Sequence, residues 1–266
     1  MKRPAWPIAL TIAGSDSGGG AGIQTDLKTF AALRCHGTSA ITCITAQNPR
    51  AVTGIQPVRP DLVRDQMAAV MGALPVGAAK TGMLFSADII NRVADFWEAG
   101  RRPPLVVDPV MVATSGAVLL KPSAIRALKE RLLPRAVLIT PNLDEAQLLV
   151  GRKLRTLEDL LEAAESLRAT FGATALVKGG HLDLQGEAVD VLFDGKRFTV
   201  LKTRRIKGVT THGTGCTYSA AITAYLARGA KLEAAVRAAK QFITRAIAHS
   251  YRIGRYQALY PAAAGK

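Results

Sequence analysis

Five short segments of the 266-residue chain gather residues that can handle anions, protons or a metal. The first, Ala13-Gly14-Ser15-Asp16-Ser17-Gly18-Gly19-Gly20-Ala21-Gly22, concentrates glycine where a predicted strand passes into a predicted helix. Glycine admits positive φ and lets backbone approach a ligand closely, and a helix N-terminus offers unpaired N–H groups to an anion. A plain flexible turn is the alternative. The second, Thr210-Thr211-His212-Gly213-Thr214-Gly215-Cys216-Thr217, precedes an apolar helix, so Gly213 and Gly215 are expected to expose N–H groups at its positive end. Cys216 falls in the first turn of that helix, where a thiol pKa drops and a thiolate becomes accessible. A small buried cysteine is the competing reading.

Asp108-Pro109-Val110-Met111 and Thr140-Pro141-Asn142-Leu143-Asp144-Glu145 each follow a predicted strand. Two carboxylates at neighbouring strand ends can hold Mg²⁺ through water, although Asn142 and Glu145 also have the spacing of a helix capping box. Lys178-Gly179-Gly180 adds a cation at another strand end. An anion hole, two carboxylates and a lysine in one place describe a phosphoryl-transfer site.

The elements that must position these groups alternate along the chain. Strands are predicted at Ile8–Ala13, Ser39–Ala46, Val52–Val58, Ala78–Met83, Leu105–Val110, Val137–Thr140 and Ala175–Lys178. Helices are predicted at Gly22–Leu33, Asp61–Leu74, Ser86–Glu98, Pro122–Leu132, Leu143–Val150, Thr156–Phe171, Thr217–Ala227 and Leu232–Tyr251. Between the last strand and the last two helices, Val189–Phe193, Asp194-Gly195 and Arg197–Thr203 carry a hairpin signal. Such alternation implies an α/β fold, a mostly parallel sheet wrapped by helices on both faces with a small antiparallel hairpin near 188–205. No composition break separates domains, so 1–266 reads as one. Ligands of such sheets bind at the carboxyl ends of the strands, where the five segments fall.

Composition narrows the class further. Apolar residues at 48% and charged residues at 21% are a globular balance. Cys35, Cys43 and Cys216 form no C-x-x-C pair, which points to a reducing, cytoplasmic compartment. Pro4 and Pro7 interrupt the start, and no apolar run reaches membrane-spanning length, so a soluble protein is expected. Residues 196–266 hold fourteen Lys/Arg against one acid, Glu233, which places +13 of the +15 net charge there. That excess suits a nucleotide or polyanion, but charges so spread, with no interleaved aromatics, favour plain decoration of solvated helix faces over a nucleic-acid surface. There is no P-loop, no G-x-G-x-x-G after a strand, no G-x-S-x-G and no His pair at metal-ligand spacing.

Taken in order, several segments resemble the ribokinase-like superfamily, and within it the hydroxymethylpyrimidine/phosphomethylpyrimidine kinases of thiamine biosynthesis. They are Ala9-Leu-Thr-Ile-Ala-Gly14, Gly22-Ile-Gln-Thr-Asp-Leu-Lys28, Thr45-Ala-Gln-Asn48, Lys80-Thr-Gly-Met-Leu84, Val107-Asp-Pro-Val-Met111, Ile139-Thr-Pro-Asn142, Val177-Lys-Gly-Gly-His181 and Thr211–Thr217. Cys216 is the distinguishing residue, since most of the superfamily carries Asp there as catalytic base.

The resemblance implies ATP and Mg²⁺ as cofactors and a homodimer. It implies that Gln47 and Asp26 hydrogen-bond an aminopyrimidine ring, Gly14 adds a backbone contact, and Met83 and Val110 pack on the ring faces. Asp108 and Glu145 would organise the metal with Asn142 nearby, and Lys178 would touch the ATP phosphates. Gly213, Thr214 and Gly215 would form the anion hole beside the catalytic Cys216, Thr211 and Lys240 would border the nucleotide, and Val112–Leu119 would act as a flap. Pro49, Ser17 and Arg34-Cys35-His36 depart from the residues usual in the family, Pro49 close to the substrate side.

The implied activity is ATP-dependent phosphorylation of a hydroxymethylpyrimidine and then of its monophosphate. Two alternatives stand beside it. A pyridoxal kinase would bind a similar ring, though Gln47 with Asp26 suits the donor and acceptor edge of an aminopyrimidine. A non-catalytic nucleotide- or polyanion-binding regulator would explain the basic C-terminal third but not the full set Asp108, Glu145, Lys178 and Cys216.

Overall fold

The computed structural model describes residues 5–111, 120–180, 182, 186–209 and 212–265. Nine strands form one sheet: β1 (Ile8–Asp16), β2 (His36–Gln47), β3 (Val52–Pro57), β4 (Val76–Thr81), β5 (Leu105–Val107), β6 (Leu138–Ile139), β7 (Thr174–Lys178), β8 (Glu187–Phe193) and β9 (Phe198–Arg204). Their order is β3-β2-β1-β4-β5-β6-β7-β8-β9. The six strands from β2 to β7 in that order are parallel, while β3 at one edge and β8–β9 at the other are antiparallel. The chain leaves β1 on one side for β2 and returns on the other as β4, so the order reverses at β1. Crevices form at such switch points.

Alternation along the strands decides what each face buries. Leu10, Ile12, Leu105, Val107, Ala175 and Val177 pack on one face with α2 (Pro60–Ala73), α3 (Ala87–Glu98), α4 (Pro122–Ala127), α5 (Leu143–Val150) and α6 (Leu157–Phe171). Ala9, Val106, Leu138, Leu176 and Leu192 face the other way, against α1 (Gly22–Ala32), α7 (Thr214–Ala227), α8 (Leu232–Ala248) and the short α9 (Pro261–Ala264). Both faces being covered explains why the central strands read as continuous apolar runs. The expected hairpin near 188–205 is β8–β9.

Two expectations are corrected. The last long helix stops at Ala248 rather than Tyr251, and Tyr251–Ile253 pairs instead with Tyr256–Ala258 in a separate hairpin. Gly254, at φ +58°, supplies the turn conformation that the helical continuation could not use. The strand expected at Leu105–Val110 ends at Val107, because Pro109 cannot donate to a ladder.

Candidate active site

Every parallel strand ends at the same rim of the sheet, and a cavity of about 590 Å³ lies there. Its wall runs across the sheet, from Gln47 after β2 through Gly14 and Met83 to Asp108, Glu145 and Lys178, and on to Asp190 on β8 and Lys240 on α8.

The glycine-rich turn after β1 is built around Asp16. This buried carboxylate accepts from Gly18 N–H at 2.8 Å, Gly20 N–H at 3.1 Å and Ala21 N–H at 2.8 Å. Those bonds, with His212 3.6 Å away, hold its pKa below the usual value despite burial. Ser17 staples the turn to the end of β2, its hydroxyl donating to the Gln47 carbonyl and accepting from the Gln47 N–H. Gly22, at φ +57°, has no room for a side chain, since a Cβ there would lie 2.5 Å from the Gly14 carbonyl oxygen.

The second glycine turn locks onto the first. Gly213 caps α7 at φ +79°, and a Cβ on it would lie 1.9 Å from the Gly20 carbonyl oxygen. The two backbones are therefore in direct contact, which leaves the N-terminus of α7, Thr214-Gly215-Cys216, facing the cavity. A Cβ on Gly215 would sit 3.3 Å from Lys178 Nζ, so the ammonium lies against the same helix end. Ammonium and helix N-terminus together make a strong anion site.

Lys178 is held in turn. Its ammonium donates to Asp108 Oδ1 at 2.9 Å, and Asp108 also accepts from the Thr140 and Ser219 hydroxyls at 3.1 Å each. These cations and donors, Lys178 first among them, hold the Asp108 pKa down against its burial. Glu145 and Asn142 do form the expected capping box, each accepting from the other's N–H at 2.9 Å. Glu145 nevertheless lines the cavity, and burial, with Asp108 adding to it, pushes its pKa up to about 8. One residue thus serves both of the readings left open by its spacing.

Gly14, Gln47, Met83 and Val110 come together at the opposite end of the cavity, and Gly14 donates its N–H to the Met83 carbonyl at 3.1 Å. A Cβ on Gly14 would lie 2.7 Å from Cys43 Sγ and 2.9 Å from Met83 Cε, so any side chain there would have to displace both. Lys240 also lines the cavity, where its ammonium meets Asp190 Oδ2 at 2.8 Å. Thr211 and the segment Val112–Leu119 lie outside the described residues.

Two site expectations change. Asp26 lines the cavity but is itself fully buried and already engaged, with both oxygens on Lys80 Nζ at 2.9 and 3.0 Å and Oδ2 also accepting from Thr11 at 2.6 Å, so a ring contact there would share a carboxylate held by that lysine. Nor is the Cys216 thiol acidic. Its sulfur accepts from the Gly22 N–H and sits near Lys80, yet burial outweighs both and pushes the pKa up to about 11. A helix N-terminus lowers a thiol pKa only where desolvation does not dominate.

Asp16 and Lys80 lie inside segments that stand out in the sequence without a role of their own being evident there, and Ser219 lies outside them. Lys80 carried a usable signal, a lysine following Ala78 and Ala79 inside a strand, where a charge has to meet a partner.

Comparison with known proteins shows the family of the chain. The sequence pattern of the family described as phosphomethylpyrimidine kinase matches residues 16–260. The hydroxymethylpyrimidine/phosphomethylpyrimidine kinase of Synechococcus elongatus is 48% identical over 257 residues, covering 95% of this chain and 96% of that one. The thiamine biosynthesis bifunctional protein of Geobacter sulfurreducens is 50% identical over 256 residues, covering 96% of this chain but 52% of its own length, so the chain spans about half of that relative. Among solved structures, an ADP complex of Bacillus subtilis pyridoxal kinase superimposes with a TM-score of 0.89 at 41% identity, covering 97% of this chain and 98% of that one.

Proposed function

The chain belongs to the phosphomethylpyrimidine kinase family, and from that premise we propose that its cavity carries out two successive phosphoryl transfers from ATP. The first places a phosphate on the hydroxymethyl oxygen of 4-amino-5-hydroxymethyl-2-methylpyrimidine; the second adds another to that monophosphate. The fold is the ribokinase-like α/β architecture of such kinases.

The observation that carries this proposal is the continuity of one cavity. Gln47, Met83 and Val110 stand at one end, Lys178 and the N-terminus of α7 at the middle, and Lys240 with Ile243 and Ile247 at the other. A pyrimidine at the first and a nucleotide at the last bring acceptor oxygen and γ-phosphorus together beside the anion site. Lys80, held by Asp26, lines the wall next to Cys216.

Phosphoryl transfer passes through a loose transition state, so positioning and charge stabilisation outweigh proton removal. The Gly213–Gly215 N–H groups and Lys178 supply that stabilisation. Cys216, protonated at neutral pH, gives only modest help in removing the alcohol proton. In the second step the phosphate nucleophile is already ionised, and Cys216 is dispensable.

Asp108 and Glu145 fit Mg²⁺. They are two buried carboxylates on one wall of the cavity, and burial, with the Asp108 charge adding to it, raises the Glu145 pKa, so a divalent cation there would offset both. Among the described residues no closed cage of three or more His, Cys, Asp or Glu side chains exists, and Mg²⁺ is commonly held by one or two carboxylates plus substrate phosphates. When bound, the ion supplies charge neutralisation at the phosphate oxygens.

Three free cysteines and the absence, among the described residues, of any helix long and apolar enough to cross a membrane support a cytoplasmic setting. We read residues 1–266 as one kinase domain acting as a homodimer on small molecules, not on nucleic acid. The likeness to a pyridoxal kinase favours one second reading, phosphorylation of pyridoxal. Steady-state kinetics with each acceptor separate the two. The proposal expects the larger kcat/KM for the pyrimidine; turnover of pyridoxal alone would overturn it.

A further inference from the structure

Three buried side chains in the nucleotide end of the cavity take no part in the transfer itself. Asp190 on β8, Tyr218 on α7 and Lys240 on α8 are 2%, 3% and 7% exposed, and all three line the cavity. The Lys240 ammonium donates to Asp190 Oδ2 at 2.8 Å and to the Ala188 carbonyl at 3.1 Å, which leaves one of its three N–H donors. The Tyr218 hydroxyl is buried and has no hydrogen-bond partner among the described residues. Asp190 is its polar neighbour, and burial first, then the charge of that carboxylate and a weak hydroxyl interaction with it, raises the phenol pKa well above its ordinary value.

A buried hydroxyl without a partner costs about 1–3 kcal/mol, and native proteins keep few of them. A ligand that completes the bond removes the cost, so the orphan marks where a polar ligand atom sits. Its chemistry follows from the neighbours. Asp190 and Lys240 cancel in charge, so the cluster has no net pull on a phosphate. It offers donors, from Tyr218 and Lys240, next to a carboxylate acceptor. A hydroxyl group is the partner that uses both.

The cluster's place narrows the choice further. Apolar Val209, Ile243 and Ile247 line the cavity on one side, as a flat base requires. The anion site at Gly213–Gly215 begins one turn earlier on Tyr218's own helix. Between a base and a phosphate chain, a nucleotide presents its sugar. Resting on the kinase reading above, we infer that Asp190, Tyr218 and Lys240 form a subsite for a ribose hydroxyl of the nucleotide, with Tyr218 as a specificity-determining contact.

The test compares ATP, 2′-deoxyATP and 3′-deoxyATP as phosphate donors for the wild-type protein and for Tyr218→Phe. In the wild type, removing the recognised hydroxyl raises KM about three- to tenfold, the net worth of one hydrogen bond. In Tyr218→Phe, the KM for ATP rises by a similar factor and the ratio between ATP and its deoxy analogue falls toward one. The ligand-free variant melts at about the wild-type temperature or above, because among the described residues the lost hydroxyl makes no hydrogen bond of normal geometry. A wild type indifferent to both deoxy analogues, a variant that keeps the wild-type ratio, or a ligand-free variant that melts well below the wild type would each overturn the inference. ATP turnover without discrimination defeats the subsite alone; no ATP-dependent product at all would overturn the kinase reading with it.

Discussion

Gly213→Ala isolates what the contact between the two glycine turns does. Gly213 sits at φ +79° with its would-be Cβ 1.9 Å from the Gly20 carbonyl oxygen, whereas Gly172, at φ +72°, has nothing within 4 Å. Alanine in the left-handed region costs about 1–2 kcal/mol at either position. At Gly172, on the end of α6 and away from the cavity, that is the whole effect, so stability falls by this amount and kcat stays at the wild-type value. At Gly213 the obstacle is backbone, and reaching an ordinary contact of 3.4 Å means parting the turns by about 1.5 Å. A misplacement of about 1 Å at a transfer site costs roughly 100-fold, close to 2.7 kcal/mol of barrier. Initial rates of ADP formation with hydroxymethylpyrimidine, beside urea unfolding of both variants, measure the two effects separately. Expected are a stability loss near the left-handed penalty at Gly172, a larger one at Gly213, and a rate loss at Gly213 alone. Comparable rates in the two variants would refute the reasoning.

Three further outcomes follow from the site. Cys216→Ala slows phosphorylation of the pyrimidine alcohol more than that of the monophosphate, seen by measuring each step on its own substrate; equal losses contradict the modest, one-step role. Lys80→Met leaves the fully buried Asp26 without its cation, and urea unfolding shows a loss of about 3–5 kcal/mol; a loss under about 1 kcal/mol would mean the pair contributes little to the fold. Glu145 has a folded pKa near 8 against an ordinary 4.5, so the folded state binds the proton more tightly. Its stabilising contribution is present below about pH 4.5 and is lost as pH rises toward 8. Metal-free Glu145→Gln therefore shows a flatter fall in stability across that window than the wild type, and parallel curves would count against the shift.

Much of this architecture is legible in sequence because local signals agree with the tertiary outcome. Asn142 and Glu145 predict the cap that opens α5, and Thr156 with Asp159 caps α6 in the same way. The stripe Leu232, Val236, Ala239, Ile243 and Ile247 marks α8, but periodicity alone carries a helix past its end, and only the hairpin turn at Gly254 shows that Tyr251 belongs to a strand. Sequence says less where chemistry depends on burial. Asp26 and Lys80 lie 54 residues apart, and nothing local shows that both are withdrawn from solvent to pair with each other. The same holds for Cys216: its place in a first helical turn predicts an acidic thiol, and the desolvation that reverses the sign comes from packing with β1, α1 and β4. Lys178, Asp108 and Glu145 were easier, since each ends or follows a parallel strand, where sheet topology alone brings side chains together.

The most direct test of the two-step account is a mass-resolved time course with purified protein, Mg²⁺, excess ATP and hydroxymethylpyrimidine as sole acceptor. The account predicts that the monophosphate rises first and then declines as the diphosphate accumulates, with two ADP formed per pyrimidine consumed. A reaction that stops at the monophosphate with one ADP per pyrimidine would contradict it.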